Sequence, residues 1–192
     1  MQRHGNAELL RHVADLLGFQ NAAGGKQVGV DDVHGLVFRL LGPDPDLDDV
    51  VQEIFISALS SIQKLREPSA LRAWLLSIAV ARARSHIRSK RRKRWLVFLS
   101  HEDLPERPVQ RDDHHDDTLR EVCAILDRMP EDQRVAFVLH RIQGLPLHIA
   151  AEIAKMSGST FKRRLARADA SFLARAERSP TLAQWIERQV AE

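Results

Sequence analysis

The chain of 192 residues contains a single cysteine and no long apolar run. One cysteine excludes an intramolecular disulfide and a zinc site that needs a Cys-x-x-Cys pair. Cys123 stands among apolar neighbours, which favours a buried small side chain over a nucleophile. No segment approaches the roughly 18 apolar residues of a membrane span. Charged residues such as Arg3, Glu8 and Arg11 occupy the place of a signal peptide's apolar segment, so a cytoplasmic protein is predicted.

Patterns typical of β-strands are also missing. Apolar residues recur at helical spacing, and no alternating run is bounded by hairpin turns. We predict helices over about 7–19, 31–41, 46–65, 70–95, 118–128, 131–142, 147–155, 159–175 and 181–189. In the helix over 46–65, the apolar stripe that should face inward comprises Val51, Ile54, Phe55, Ala58, Ile62 and Leu65.

The net charge of +3 conceals an uneven distribution along the chain. Basic residues without any acid fill 82–94, acids dominate 102–117, and basic residues return over 162–167. Two basic zones around an acidic connector predict two separate contacts with a polyanion. We therefore expect an all-α fold of two small helical domains joined by an acidic flexible linker. The expected bounds are 1–95 and 118–178 for the domains, 96–117 for the linker and 179–192 for a C-terminal helical extension.

A helix-turn-helix pattern lies in the second domain, over 145–165 (LPLHIAAEIAKMSGSTFKRRL). Ser157 or Ser159 can cap the second helix of the pair by accepting from its free backbone N–H groups. The start of that helix is polar and basic, and such residues can enter the major groove, where arginine and lysine bind guanine O6 and N7. An ordinary helical hairpin with a solvated basic face explains the same pattern.

Three further segments carry a family resemblance. Residues 46–57 (DLDDVVQEIFIS), 70–94 (ALRAWLLSIAVARARSHIRSKRRKR) and 129–145 (MPEDQRVAFVLHRIQGL) resemble successive blocks of bacterial sigma factors of the extracytoplasmic-function group. The helix-turn-helix follows at the spacing that the group shows. With it, the resemblance covers about 31–95 and 118–175.

The resemblance implies a factor that binds core RNA polymerase, through the β-prime clamp and the β flap, and that recognises promoter DNA. Implied polymerase-binding residues are Asp48, Asp49, Gln52, Glu53 and Ile56. Implied contacts to the promoter −10 element are Trp74, Arg82, Arg84, His86, Arg88, Arg91 and Arg92. Implied contacts to the −35 element are Ser157, Ser159, Thr160, Lys162, Arg163, Arg164 and Arg167. An anti-sigma factor is a further implied partner, whereas catalysis, a cofactor, a metal and membrane insertion are not implied. A plain solvated helix face would also explain the first set, and a core position would also explain Trp74.

The sequence departs from the family pattern at several positions. Val80-Ala81 replaces the usual Arg-Asn pair and Ser85 the following Asp, which predicts weaker contacts to unstacked −10 bases. Lys155 replaces the turn glycine of the helix-turn-helix, where a left-handed conformation costs a non-glycine residue about 1 kcal/mol. Pro146 replaces the usual polar cap.

Two other classes of protein fit parts of the chain. A stand-alone helix-turn-helix regulator would explain 145–175 but would leave the acidic block over 46–57 without a role. A nuclease needs carboxylates gathered around a metal, whereas these acids are expected on a linker and a helix surface. The His114-His115 pair among aspartates is interpreted as part of the flexible linker, because no second ligand cluster accompanies it at a defined spacing.

Overall fold

A computed structural model describes residues 30–65, 67, 70–100, 114–182 and 184. Every regular element within these ranges is helical, which confirms the predicted all-α fold. The helix predicted over 7–19 lies outside the described residues, as does most of the one over 181–189. Within the described ranges, no helix combines the length and apolar character needed to cross a membrane.

In the part of the chain that the structure describes, the first module has three α-helices. Helix α1 spans Val30–Leu41, α2 spans Leu47–Ser61 with a 3₁₀ turn over Ile62–Lys64, and α3 spans Leu71–Ser100. Acidic residues occupy the first turns of α1 and α2, where they favour the positive end of the helix dipole. The side chains buried between the three helices include Leu36, Leu40, Ile54 and Ala79.

Among the described residues, the second module contains four α-helices, a π-helical segment and further helical residues at 180–182. Helix α4 spans His114–Asp127, α5 spans Glu131–Phe137, α6 spans Leu147–Ile153 and α7 spans Gly158–Ala176. The π-helical segment, Val138–Ile142, continues α5. Stacked Phe137 and Phe172 rings, with centroids 4.8 Å apart, fix α5 against α7.

Several predicted bounds and burials differ from the structure. Ile62 is exposed, because α2 ends at Ser61 and the tighter 3₁₀ turn rotates this residue off the apolar stripe. Helix α3 continues to Ser100. Residues 71–104 contain no proline or glycine that would stop it. Helix α4 begins at His114, so helices cover both ends of the predicted linker. The division into domains and linker stays a prediction.

The two modules are packed against each other through buried residues. Gly42 follows α1 with φ +73 and lies against α4, where a Cβ on it would stand 3.6 Å from the Cys123 Cβ. The buried Arg134 of α5 donates from Nη1 to the Leu40 carbonyl of α1 over 3.0 Å. Cys123 is itself buried, as expected. The apolar core is therefore continuous from one module to the other.

The turn between α6 and α7 contains a left-handed lysine, as the sequence predicts. Lys155 has φ 53 and an exposed side chain. We expect Lys155→Gly to raise the free energy of unfolding by about 1 kcal/mol, because glycine enters this region without steric cost. Chemical denaturation measures the change. Lys155→Ala is the matched control, since alanine retains the strain, and an equal gain in both variants would contradict the explanation.

Candidate nucleic-acid interface

An acidic face of α2 points into solvent. Asp48, Asp49, Gln52, Glu53 and Ile56, the predicted polymerase-binding residues, are all exposed. Between them, Val50, Val51 and Ile54 are buried against the rest of the module. The helix thus separates a core side from an accessible side, which is the arrangement that a docking surface requires.

The same face continues into an apolar patch that the sequence pattern did not indicate. Leu59 is 75% exposed, and Ile62 and Leu71 are also exposed. Ile56, Leu59 and Ile62 follow one another at three-residue spacing from the acidic end of the face. The accessible surface of α2 is therefore polar at one end and apolar at the other.

The first half of α3 is mainly a core helix. Trp74 and Ile78 are half-buried against the apolar core, and Ala79 is fully buried. Val80 is buried as well, so this departure from the family pattern lies where it cannot contact DNA without unfolding. Ala81 and Ser85, the other two substituted positions, are exposed.

The basic half of α3 has two sides in different surroundings. Arg82, Arg91 and Arg92 are exposed, and Arg82 donates to the Ser57 hydroxyl of α2 over 2.6 Å. Arg84 and Arg88 instead face the second module. The structure therefore leaves the arginines of the predicted −10 set accessible except for Arg84, which is largely covered together with His86.

Acids at the start of α5 form ion pairs with that second side. Arg84 Nη2 donates to Asp132 Oδ1 over 2.9 Å, and Nη1 donates to the Ala154 carbonyl over 3.0 Å. Arg88 Nη1 donates to Glu131 Oε1 over 2.7 Å. The Arg84 side chain is only 16% exposed, so this contact is largely removed from water.

Asp44, in the turn after α1, organises a further pair of basic side chains. Its carboxylate is 2% exposed, and Oδ2 accepts from Lys90 Nζ over 2.7 Å and lies 3.1 Å from His86 Nε2. Oδ1 accepts from the Asp46 backbone amide over 3.0 Å. Burial alone would raise the pKa of Asp44, but the hydrogen bonds from Lys90, Asp46 and His86 and the charge of Lys90 together hold it below its ordinary value.

The recognition helix α7 begins as the sequence predicts. Ser157 is its N-cap, and the Ser157 hydroxyl accepts from the Thr160 amide over 3.3 Å. Phe161 and Leu165 are buried, as the helix-turn-helix interpretation requires. The predicted −35 residues that are exposed are Ser157, Ser159, Lys162, Arg163 and Arg167, whereas Thr160 and Arg164 are half-buried. The exposed residues repeat at three- and four-residue spacing, so they share one face of α7.

A bidentate ion pair holds α7 in place. Arg141 of the π-helical segment donates from Nε and Nη2 to the two carboxylate oxygens of Asp169, over 3.0 and 2.6 Å. The hydrogen bond with Asp169 raises the pKa of Arg141, although partial burial opposes this. A two-pronged contact of this kind fixes orientation as well as distance, so it sets the angle at which α7 presents its exposed face.

The acids that position the basic side chains were missed by sequence reasoning. The contacts of Asp44, Glu131, Asp132 and Asp169 were not predicted. The run of basic residues without an acid over 82–94 of α3 indicated that carboxylates from elsewhere in the chain would have to neutralise part of its charge. The identity of those carboxylates depends on contacts between residues more than 40 positions apart.

One cluster among the described residues brings metal-ligating groups together. Asp44, Asp46 and His86 each place one ligand atom within 4.8 Å of the others. Lys90 already donates to the Asp44 oxygen that also faces His86, and the ammonium charge opposes a cation there. The His114-His115 pair opens α4, and its side chains lie outside the described part of the chain.

Comparison with known families matches both modules. Residues 30–93 match the family model of sigma-70 region 2, and residues 119–168 match that of sigma-70 region 4. The RNA polymerase sigma factor SigV of Bacillus subtilis is 29% identical over 137 residues, which cover 71% of this chain and 80% of that protein. The ECF RNA polymerase sigma-E factor of Haemophilus influenzae is 32% identical over 146 residues, covering 71% and 77%. A probable RNA polymerase sigma-C factor of Mycobacterium bovis is 33% identical over 135 residues, covering 68% and 70%.

Solved structures share the fold. The sigma factor RpoE, in complex with the anti-sigma factor NepR from Bartonella quintana, aligns with a TM-score of 0.54 at 23% identity and covers 77% of this chain and 91% of its own. CnrH in complex with the cytosolic domain of CnrY aligns with a TM-score of 0.53 at 20% identity, covering 88% and 96%.

The buried Asp44 carboxylate generates a stability prediction with a defined pH dependence. We expect Asp44→Asn to lower the free energy of unfolding at pH 7 by about 1.5–3 kcal/mol, the usual contribution of hydrogen bonds to a charged group. Because the pKa of Asp44 is depressed in the folded chain, this contribution is present above the ordinary carboxyl pKa and is lost as pH falls through the folded value. The difference between wild type and variant should therefore shrink below about pH 4.

Urea denaturation at several pH values measures this difference. Asp46→Asn is the control, since Asp46 is exposed and its side chain makes no capping hydrogen bond at the start of α2. A loss that is equal for the two variants, or independent of pH, would contradict the role given to Asp44.

Proposed function

Because the chain belongs to the sigma-70 family of RNA polymerase sigma factors, in its extracytoplasmic-function group, we propose that its two helical modules share the recognition of a promoter. The observation that carries this proposal is the coincidence of the two family matches with the two modules. Each module also presents an accessible face of a different character, acidic and apolar on α2 and basic on α7.

The face of α2 is proposed to dock on core RNA polymerase. Its exposed acids suit a basic partner, and the adjoining Ile56 and Leu59 supply apolar area that is costly to leave in water. Exposed apolar residues next to polar ones are typical of protein-binding surfaces. The stand-alone regulator would give this face no partner, and so the family's function explains more of the chain.

The basic faces are proposed to contact promoter DNA. Arg82, Arg91 and Arg92 on α3 suit contacts with phosphates near the −10 element, which are the main source of salt-sensitive affinity. Lys162 and Arg163 on α7 suit base edges in the major groove of the −35 element. The predicted weakening of contacts to unstacked −10 bases applies to the exposed Ala81 and Ser85 and not to the buried Val80. It stays a prediction.

The chemistry of transcription is proposed to reside in the polymerase, with this chain acting in the cytoplasm as a specificity subunit and not as an enzyme. An anti-sigma factor is a proposed further partner. The aligned structure of the sigma factor RpoE, described as a complex with the anti-sigma factor NepR, supports it.

The docking face leads to a charge-reversal prediction. We expect Asp49→Lys with Glu53→Lys to weaken binding to core polymerase by at least about tenfold, because both exposed acids would become like charges toward a basic partner. Titration of labelled polymerase measures the affinity, and circular dichroism should show an unchanged helix content. Glu152→Lys with Glu177→Lys carries the same charge change on exposed positions of the second module. Equal affinity of the two double variants would contradict docking through α2.

The recognition helix leads to a specificity prediction. Arg163→Ala should cost about 1–3 kcal/mol of promoter binding if the guanidinium pairs with a base, and it should abolish the preference at that base pair alone. Holoenzyme binding to promoters mutated singly across the −35 element measures both effects. Arg178→Ala removes the same charge from an exposed position beyond α7 and is the control. A variant that binds every promoter as the control does would contradict the groove assignment.

A further inference from the structure

The recognition helix α7 carries one acid among its basic residues, Asp169. A carboxylate on a helix that enters a groove between two phosphate backbones repels the DNA that the neighbouring arginines attract. The proposed −35 contacts leave this acid without a role. Its contact with Arg141, which lies outside α7, supplies one.

Asp169 lies at the edge of the exposed face of α7. It follows the exposed Lys162 by seven residues, which is almost two helical turns, so both residues lie on the same edge, about 10 Å apart along the axis. A helix-turn-helix places the start of its second helix in the major groove, which is only about 12 Å wide. The edge of α7 beyond Lys162 therefore runs past the phosphates that border the groove.

Arg141 brings a cation to this edge from the π-helical segment. Its Nε and Nη2 both donate to Asp169, and within the part of the chain that the structure describes its Nη1 has no hydrogen-bond partner. The Arg141 side chain is 35% exposed, whereas that of Asp169 is 19% exposed. The acid is thus mostly covered by the pair, while the guanidinium keeps donors that face solvent.

The pair holds Arg141 in a single orientation. The stacked rings of Phe137 and Phe172 stand four residues before Arg141 and three residues after Asp169, so they fix the same two segments against each other. A side chain that is already ordered loses little conformational entropy when it binds a ligand. Guanidinium N–H groups donate to phosphate oxygens as they do to carboxylate oxygens, so the Nη1 donors suit a phosphate.

We propose that Arg141 is a further contact to the −35 duplex, in which Nη1 donates to a backbone phosphate, and that Asp169 is the positioning residue that holds the guanidinium there. The inference rests on the proposed function, because it takes α7 as the helix that enters the −35 major groove. Phosphates are alike at every base pair, so this contact contributes affinity and register but no sequence preference.

The first test measures binding of Arg141→Ala holoenzyme to a promoter duplex and to duplexes substituted singly across the −35 element. We expect about tenfold weaker binding to all of them alike, and a salt slope of log affinity that is smaller by about 1, as loss of one phosphate contact requires. Arg120→Ala is the matched control, since it removes an exposed arginine that pairs with Asp117 on α4. A salt slope equal to that of the control, or a loss confined to one base pair, overturns the phosphate contact.

Asp169→Asn is the sharper variant, because two explanations of the acid predict opposite signs. An acid that acts only by its charge weakens DNA binding, so its removal would strengthen that binding. A positioning acid makes Asp169→Asn bind about threefold more weakly, the usual cost of ordering one long side chain, and this loss disappears in an Arg141→Ala background. Asp117→Asn is the control for the change in charge. Tighter binding by Asp169→Asn, or the same loss in both backgrounds, overturns the positioning role.

Two further comparisons keep the outcomes distinct. Asp169→Asn preserves the shape of the side chain, so the sign of its effect decides the proposal if circular dichroism shows that Arg141→Ala does not fold. Wild-type holoenzyme that binds the substituted duplexes as tightly as the intact promoter rejects −35 recognition itself. A selective wild type whose salt slope Arg141→Ala leaves unchanged rejects the phosphate contact alone.

Discussion

The density of positive charge on α3 is the constraint around which the two modules are arranged. Between residues 82 and 94 the helix has eight basic residues and no acid. Arg84, Arg88 and Lys90 each have a carboxylate oxygen within 2.9 Å. Asp44 supplies one of these from the turn after α1, and α5 supplies the others. Since like charges at helical spacing repel one another, these carboxylates stabilise α3, and the two on α5 also attach the second module to it.

A buried cation reinforces the contact between the two modules, which forms a seam between α1, α3, α4 and α5. Arg134 is almost completely buried and donates to the Leu40 carbonyl of α1 and to Asp127 at the end of α4. A guanidinium removed from water is tolerated only where its donors find partners. The seam therefore combines apolar burial with a polar contact that permits few alternative arrangements, and it joins the ends of α1 and α4 to the start of α5.

The position of each face relative to the contact between the modules decides which side chains are accessible. The acidic and apolar surface of α2 and the exposed face of α7 both lie away from it. One side of α3 lies in it. The residues predicted to bind polymerase and most of those predicted to bind the −35 element are thus accessible, whereas Arg84 and His86 of the predicted −10 set are largely covered. Two of the predicted DNA contacts, Arg84 and Arg88, also take part in the contact between the modules.

Much of the fold follows from local sequence patterns. The spacing of Val51, Ile54 and Ala58 predicted the buried side of α2, and the polar start of α7 predicted the Ser157 cap. Both features depend on residues three or four positions apart, whose geometry a helix determines by itself. The predicted burial of Ile62 was wrong. The helix changes to a 3₁₀ turn after Ser61, and the hydrophobic pattern gives no sign of this change.

The family, the all-α class and the accessible residues of α2 and α7 were therefore determined by the sequence by itself. Which side of α3 would be covered was decided only by the tertiary structure. Arg82 and Arg84 are equivalent in charge and nearly adjacent in the chain, yet one is exposed and the other contacts Asp132, 48 residues away. Helical periodicity places these arginines on different sides of α3 but carries no information about which side meets a distant carboxylate. That choice depends on the packing of α5 and α6 against α3, a non-local arrangement that forms only when the modules meet.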